Sequence, residues 1–142
     1  WIAAGVDLFH PADAVEGGVD LAALPVVRAA DSRDAGRAAS HLLRSGGFGV
    51  VVLDLGRRAE LPTPLVSRLA RQARRHRTAL VCLTDKAPDT PSISALVSLR
   101  VRPSRERIGP DRWRCDVTAL KDKLRSPGWV HEEVCRGPTG LR

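Results

Sequence analysis

The sequence contains no methionine and no tyrosine, and aromatic residues make up only 4% of its 142 positions. No apolar run approaches the roughly 18 residues of a membrane-spanning helix, and we expect no membrane contact and no signal peptide. Three cysteines without a C-x-x-C pair, and four histidines without the spacing of metal ligands, disfavour a disulfide framework or a zinc site. A reducing cytosol fits best. Because an initiator methionine is also lacking, we expect an N-terminal segment of a longer protein to be missing.

The charge is distributed unevenly along the chain, which carries a net charge of +7. Residues 1–56 contain four arginines against seven acids, whereas residues 57–77 contain seven arginines against one acid. Residues 100–142 contain eleven basic residues against six acidic ones. Basic regions of this kind can bind nucleic acid by neutralising phosphates, although an arginine-rich genome produces the same bias and few aromatic residues are present for stacking.

Predicted helices alternate with apolar runs over the first two thirds of the chain. Proline, Asp or Ser at their starts and glycine at their ends predict helices at 11–16, 32–44 and 64–76, with a further helical turn at 92–97. The apolar runs predict buried strands at 1–4, 24–28, 48–55 and 78–83. Antiparallel strands are predicted at 99–102, 112–121 and 129–134. This pattern indicates an α/β fold that ends in a β-meander.

One apolar strand ends in a carboxylate. Asp54 follows the run from Val50 to Leu53, and the preceding helix ends at Gly46-Gly47. This arrangement is typical of a Walker B strand, whose terminal Asp holds nucleotide-bound magnesium. The alternative is an ordinary strand-end Asp that caps the following loop.

The segments that follow Asp54 resemble the second half of the RecA core. The resemblance rests on four runs after Asp54, which are Thr78–Leu83, Ala95–Val101, Arg107–Gly109 and Val117–Pro127. Upstream, residues 1–4 and 18–24 also match in place, so the resemblance spans nearly the whole chain. It implies a RecA-like P-loop NTPase core with a mainly parallel central sheet, helices on both faces, and a C-terminal antiparallel β-meander. The Walker A segment would lie upstream. Residues 1–136 would form this incomplete core, and residues 137–142 a flexible tail.

The chain departs from the RecA pattern at several functional positions. Gly5 stands where the resemblance expects the catalytic glutamate, and Asp7 is the nearest acid but requires a shift of register. The segments 55–64 and 84–93, which replace the two DNA-binding loops, are short and are not rich in glycine. No Gly-Lys pair is present, so a phosphate loop would have to lie upstream.

This combination resembles the RecA-like accessory proteins called ImuA. The resemblance implies a role in DNA damage tolerance and translesion synthesis (SOS mutagenesis), with little or no ATPase activity. Such proteins are encoded in bacterial mutagenesis cassettes beside a Y-family-like protein and an error-prone polymerase. The resemblance implies that the chain acts through RecA and through these two proteins, and that it associates with itself and binds DNA non-specifically. It also implies a cytoplasmic, nucleoid-associated protein. The alternatives are a DNA-dependent RecA-type ATPase that binds single-stranded DNA, and a RecA-like regulator of cell division.

The candidate site residues fall into two groups. The resemblance implies that Asp54, Lys121 and Lys123 bind ATP, with Mg²⁺ at Asp54 and the two lysines reaching a neighbouring subunit's nucleotide. The alternative for the lysines is a solvated strand edge. The arginine-rich stretch supplies the candidate DNA- or partner-binding residues, which are Arg57, Arg58, Arg68, Arg71 and Arg75. The last three share a helical face, for which a solvated helix surface is the alternative.

Overall fold

A computed structural model describes residues 1–5, 9–57 and 59–136 of the chain. Asp7, Arg58 and the expected tail at 137–142 lie outside the described residues. The chain divides into two compact units, the first from Trp1 to Leu96 and the second from Val97 onward. Among the described residues, no helix is both long and apolar enough to cross a bilayer.

Unit 1 is built on a four-stranded parallel sheet. Its elements are β1 (Ile2–Ala4), α1 (Pro11–Glu16), a 3₁₀ turn (Leu21–Ala23), β2 (Val27–Ala29), α2 (Ser32–Ser45), β3 (Val50–Asp54), α3 (Thr63–His76) and β4 (Ala79–Leu83). The strands lie in the order β2-β1-β3-β4, and all neighbours are parallel. The predicted alternation of strands and helices is therefore confirmed, with strand ends shifted by one to three residues.

Local capping fixes where the two long helices begin and end. The Asp31 carboxylate accepts a hydrogen bond from the Asp34 backbone N–H at 2.8 Å and so begins α2. Gly46 ends α2 in the left-handed region, with φ of 69°. Pro64 lies in the first turn of α3, where its missing N–H costs nothing, and Arg77 ends that helix with φ of 52°.

The core of unit 1 lies between one face of the sheet and helices α2 and α3. Ile2 and Leu53 pack there against Ala35, Ala39 and Leu43, all of them fully buried. The expected second helical layer is not built in the described residues, because α1 packs against the 3₁₀ turn rather than against a strand. The opposite sheet face consequently exposes apolar side chains, which belong to Val50, Val81 and Leu83.

Unit 2 is a separate three-stranded antiparallel sheet. Its strands are β5 (Leu99–Arg107), β6 (Arg112–Asp122) and β7 (Val130–Arg136), in sequential order. The meander was predicted, although β5 is longer than expected and the segment 92–97 contains no helical turn. Within the described part of unit 2, Ala119 is the only buried apolar residue. Both faces of this sheet are therefore largely open.

Candidate functional site

Helices α2 and α3 form a basic groove on the surface of unit 1. The groove encloses about 360 Å³ and is lined by Arg44, Arg68, Arg71, Gln72, Arg75 and His76. We call this set the arginine groove. The structure thus brings together three of the five predicted DNA- or partner-binding arginines and adds a fourth.

The spacing of residues along α3 positions most of the groove. Arg68, Arg71 and Arg75 follow one another at three and four residues, so their side chains leave the same side of the helix. Arg44 reaches the groove from the last turn of α2. Ser40 Oγ of α2 donates a hydrogen bond to Gln72 Oε1 of α3 at 3.0 Å, which fixes the two walls relative to each other.

The groove carries positive charge without acidic neighbours. No Asp or Glu is among the residues that line the groove. The ion pairs Arg37–Asp34, Arg57–Asp85 and Arg114–Glu106 of the described residues also involve no arginine of the groove. Arg44 Nη2 lies 3.3 Å from His41 Nδ1. Of the four arginines, only Arg44 and Arg75 lie in the last turn of a helix, where the helix dipole attracts cations. A cluster of like charges gains most from an anionic ligand that contacts several guanidinium groups together.

The other two predicted arginines do not line the groove. Arg57 lies in the loop after β3 and faces Asp85 at 3.9 Å, with most of its side chain exposed. The Asp85 backbone N–H also donates to Gly56 O at 3.1 Å, so this contact joins the loops that follow β3 and β4. An exposed pair at that distance contributes little energy. Arg58 lies outside the described residues.

Asp54 occupies the strand end at which a Walker B carboxylate is expected. Its side chain is only 8% exposed, and alternation along β3 places it on the sheet face opposite to α2 and α3. No hydrogen bond or ion pair of the described residues involves its carboxylate. No group of three His, Cys, Asp or Glu side chains in the described chain could enclose a metal ion. Asp54 therefore fits Mg²⁺ only as one ligand beside water and phosphate oxygens.

The arginine groove and Asp54 lie at opposite ends of the parallel sheet. Asp54 is at the carboxyl end of β3, whereas Arg44, Arg75 and His76 are in the last turns of helices that run back against the strands. A helix that joins two parallel strands ends beside the start of the next strand. The two groups consequently cannot contact one bound nucleotide.

Lys121 and Lys123 lie in unit 2, at the end of β6. Lys121 pairs with Arg100 in the ladder, and the Lys123 N–H donates to Ser98 O at 2.9 Å just beyond the strand. Between them, Asp122 organises the following turn: it accepts from Trp129 Nε1 at 3.0 Å and from the Leu124 N–H at 2.8 Å. These hydrogen bonds, that of Trp129 first, lower the pKa of Asp122 below its usual value.

No protein-family model and no curated protein matches the chain. The resemblance to RecA-like accessory proteins therefore remains a prediction, and the fold that stands is a parallel four-stranded α/β unit followed by an antiparallel meander.

The sequence predicted one wall of the arginine groove and missed the other. Arg68, Arg71 and Arg75 are marked by helical spacing within one segment. Arg44, Gln72 and His76 carry no such signal, because only the packing of α2 against α3 brings Arg44 to them. Both helices were predicted, but their packing against each other was not.

Proposed function

We propose that this protein is a RecA-like accessory protein in DNA damage tolerance and translesion DNA synthesis. In this proposal it binds DNA and protein partners and has little or no ATPase activity. The observation that carries the proposal is the arginine groove, which is lined by four arginines and has no acidic residue among its lining residues.

A DNA backbone suits this groove. Arg68 and Arg75 are seven residues apart on α3, which is roughly 10 Å along the helix axis. Phosphates of one strand recur about every 3.4 Å along the axis of duplex DNA, so two or three could be contacted together. No aromatic side chain lines the groove. The contact is therefore indifferent to base sequence.

The backbone conformation at Gly5 supports the proposal that the protein has little ATPase activity. Gly5 follows β1 with φ of 84°, a conformation that side-chain-bearing residues rarely adopt. The resemblance expects the catalytic glutamate at this position, but the left-handed backbone conformation there favours glycine. Loss of a positioned general base commonly lowers turnover by about 10²-fold or more.

The proposed setting is the bacterial cytoplasm, in association with the nucleoid. The proposed protein partners are RecA, the Y-family-like protein and the error-prone polymerase of the same cassette, and further copies of the chain. Lys121 and Lys123 are the proposed contact residues for such partners, because ammonium groups can meet an acidic protein patch as well as a phosphate.

Damage-induced mutagenesis in cells that lack the gene tests this function. The wild-type gene should restore the mutation frequency after irradiation, whereas Arg68→Ala/Arg71→Ala/Arg75→Ala should not. Arg33→Ala/Arg37→Ala/Arg74→Ala is the matched control, since it removes three exposed arginines outside the groove, and it should restore mutagenesis. Full restoration by the groove variant would contradict the proposal.

A DNA-dependent RecA-type ATPase is the second candidate, and Asp54 favours it, because it ends β3 and has no hydrogen bond or ion pair among the described residues. Steady-state ATP turnover with single-stranded DNA separates the two candidates. The accessory protein should turn over ATP very slowly, and Asp54→Ala should change little. Turnover at the rate of an ordinary recombinase, abolished by Asp54→Ala, would instead establish the ATPase.

A further inference from the structure

One face of the unit 2 sheet carries two tryptophans, and no described helix or strand of unit 2 packs over it. Alternation along the strands and their register place Arg105 and Arg107 of β5, Trp113 of β6, and Trp129 just before β7 on the same face. The Ala119 N–H donates to Trp129 O at 2.9 Å, which sets Trp129 opposite Ala119. We call this surface the tryptophan face.

The apolar centre of the tryptophan face is open. Leu99 and Val101 of β5 are 47% and 38% exposed. Both tryptophan rings are only partly buried, although a ring of this size normally contributes most when it is covered. A sheet with so little buried apolar surface gains from a ligand that covers it.

Arginine stacks on the first ring. The guanidinium carbons of Arg105 and Arg107 lie 5.2 Å and 6.0 Å from the centroid of Trp113. Arg107 is held there by its own turn, since its Nε donates to Gly109 O at 3.1 Å and its Nη2 to Pro110 O at 2.6 Å. Planar cations fixed beside a ring present charge and a stacking plane together.

The second ring borders a cavity. The cavity has a volume of about 300 Å³ and is lined by Ser98, Leu99, Asp122, Leu124, Arg125 and Trp129. The hydrogen bond from Trp129 Nε1 to Asp122 fixes the ring, and Leu124 is 93% exposed at the rim. This cavity combines an aromatic wall, apolar side chains and one cation.

We propose that the tryptophan face binds single-stranded DNA by stacking bases on Trp129 and on the guanidinium planes that Arg105 and Arg107 hold against Trp113. Six residues of β6 separate the positions of the two rings, which corresponds to roughly 20 Å. Arg105 and Arg125 contact phosphates between and beside the stacked bases. The charge at this surface favours an anionic ligand, because Arg105, Arg107 and Arg125 outnumber the two acidic residues there, Asp122 and Glu133.

This surface is independent of the arginine groove and reads a different part of the ligand. The groove contacts phosphates alone, whereas the tryptophan face contacts bases as well as phosphates. An abasic strand retains every phosphate and lacks every base, so comparison of the two strands isolates stacking. The phosphate contacts of both surfaces appear instead in the dependence of affinity on salt.

The test measures the affinity of the full chain for a short oligo-dT strand and for an abasic strand of equal length. The wild type should prefer oligo-dT on the order of tenfold or more, since each stacked base contributes at least about that much. Trp113→Leu and Trp129→Leu should each reduce the preference, and Trp113→Phe should retain most of it. None of these variants should change the slope of log affinity against log salt. Trp1→Phe, which lies in unit 1, is the control.

Several outcomes would overturn the proposal. Equal affinity of the wild type for both strands would do so even if the Leu variants failed to fold. Retention of the full preference by both folded Leu variants would show that the bases stack elsewhere. Tighter binding of an oligo-uridine RNA than of oligo-dT of equal length would assign the face to RNA. Loss of self-association in the Leu variants, with unchanged DNA binding, would assign it to a second copy of the chain.

Discussion

The fold lowers the reactivity of the Cys82 thiol by burying its side chain. It lies in β4, on the sheet side that faces the core. Burial raises the pKa of its thiol from 9.0 to about 11. Thiolate is the reactive form of cysteine, so the fold protects Cys82 from alkylation.

We predict that Cys82 in the folded chain is alkylated about a hundredfold more slowly than in the unfolded chain at neutral pH, because two pKa units separate the thiolate fractions. Mass spectrometry of iodoacetamide-treated protein measures the rates. The raised pKa contributes stability that is fully present below pH 9.0 and is lost as the pH rises towards about 11. Cys82→Ala should remove that part of the alkaline loss. Equal labelling of Cys82 in folded and unfolded chains would refute the prediction.

At the scale of elements, the contact between α2 and α3 creates both the core and the arginine groove. Gly36 makes the close approach possible: a Cβ at this position would lie 2.6 Å from Leu65 Cδ2 and 3.2 Å from Leu61 Cδ2. Gly36 is therefore a packing residue in the middle of a helix, where its intrinsic propensity is poor.

We expect Gly36→Val to destabilise the protein by about 1–3 kcal/mol, because the branched side chain forces α3 away from α2. Arg33→Val places the same side chain on the exposed side of α2 and should cost less than about 1 kcal/mol. Urea unfolding followed by circular dichroism measures both free energies. Helix propensity alone would make Gly36→Val slightly more stable, since valine is a better helix former than glycine, so a variant at least as stable as the wild type would contradict the packing role of Gly36.

The helices could be predicted from the sequence because their signals are local. Asp31, Gly46 and Pro64 act within one turn, and the predicted ends of α2 and α3 fall within one residue of those observed. Strand β5 was predicted too short, because its second half is apolar at few positions and is fixed by pairing with β6. Sequence likewise gave no way to place Arg44 beside α3, or Trp113 and Trp129 on one face. Those placements depend on helix packing and strand register.

At the scale of the whole molecule, the two units carry separate binding surfaces. Unit 1 has a closed core, Asp54 at one sheet end, and the arginine groove at the other. Unit 2 has an open sheet and the lysine pair at the end of β6. The proposed function therefore assigns DNA to the arginine groove and protein partners to the lysine pair.

The double variant Lys121→Ala/Lys123→Ala should remain folded and bind the proposed protein partners more weakly. A charged contact that loses water on association contributes about 1–3 kcal/mol. Sedimentation with RecA and with the cassette proteins measures the loss, and Lys86→Ala/Arg112→Ala is a control that removes two charges elsewhere. Wild-type association of the lysine variant with itself and with each partner would place the interface elsewhere.

The salt dependence of single-stranded DNA affinity tests the central claim most directly. Each phosphate contact on a single strand contributes about 0.7 to the slope of log affinity against log salt, so Arg68→Ala/Arg71→Ala/Arg75→Ala should lower that slope by about 2. Arg33→Ala/Arg37→Ala/Arg74→Ala removes the same charge outside the groove and should leave the slope nearly unchanged. If the groove variant keeps the affinity and slope of the wild type, the arginine groove does not bind DNA.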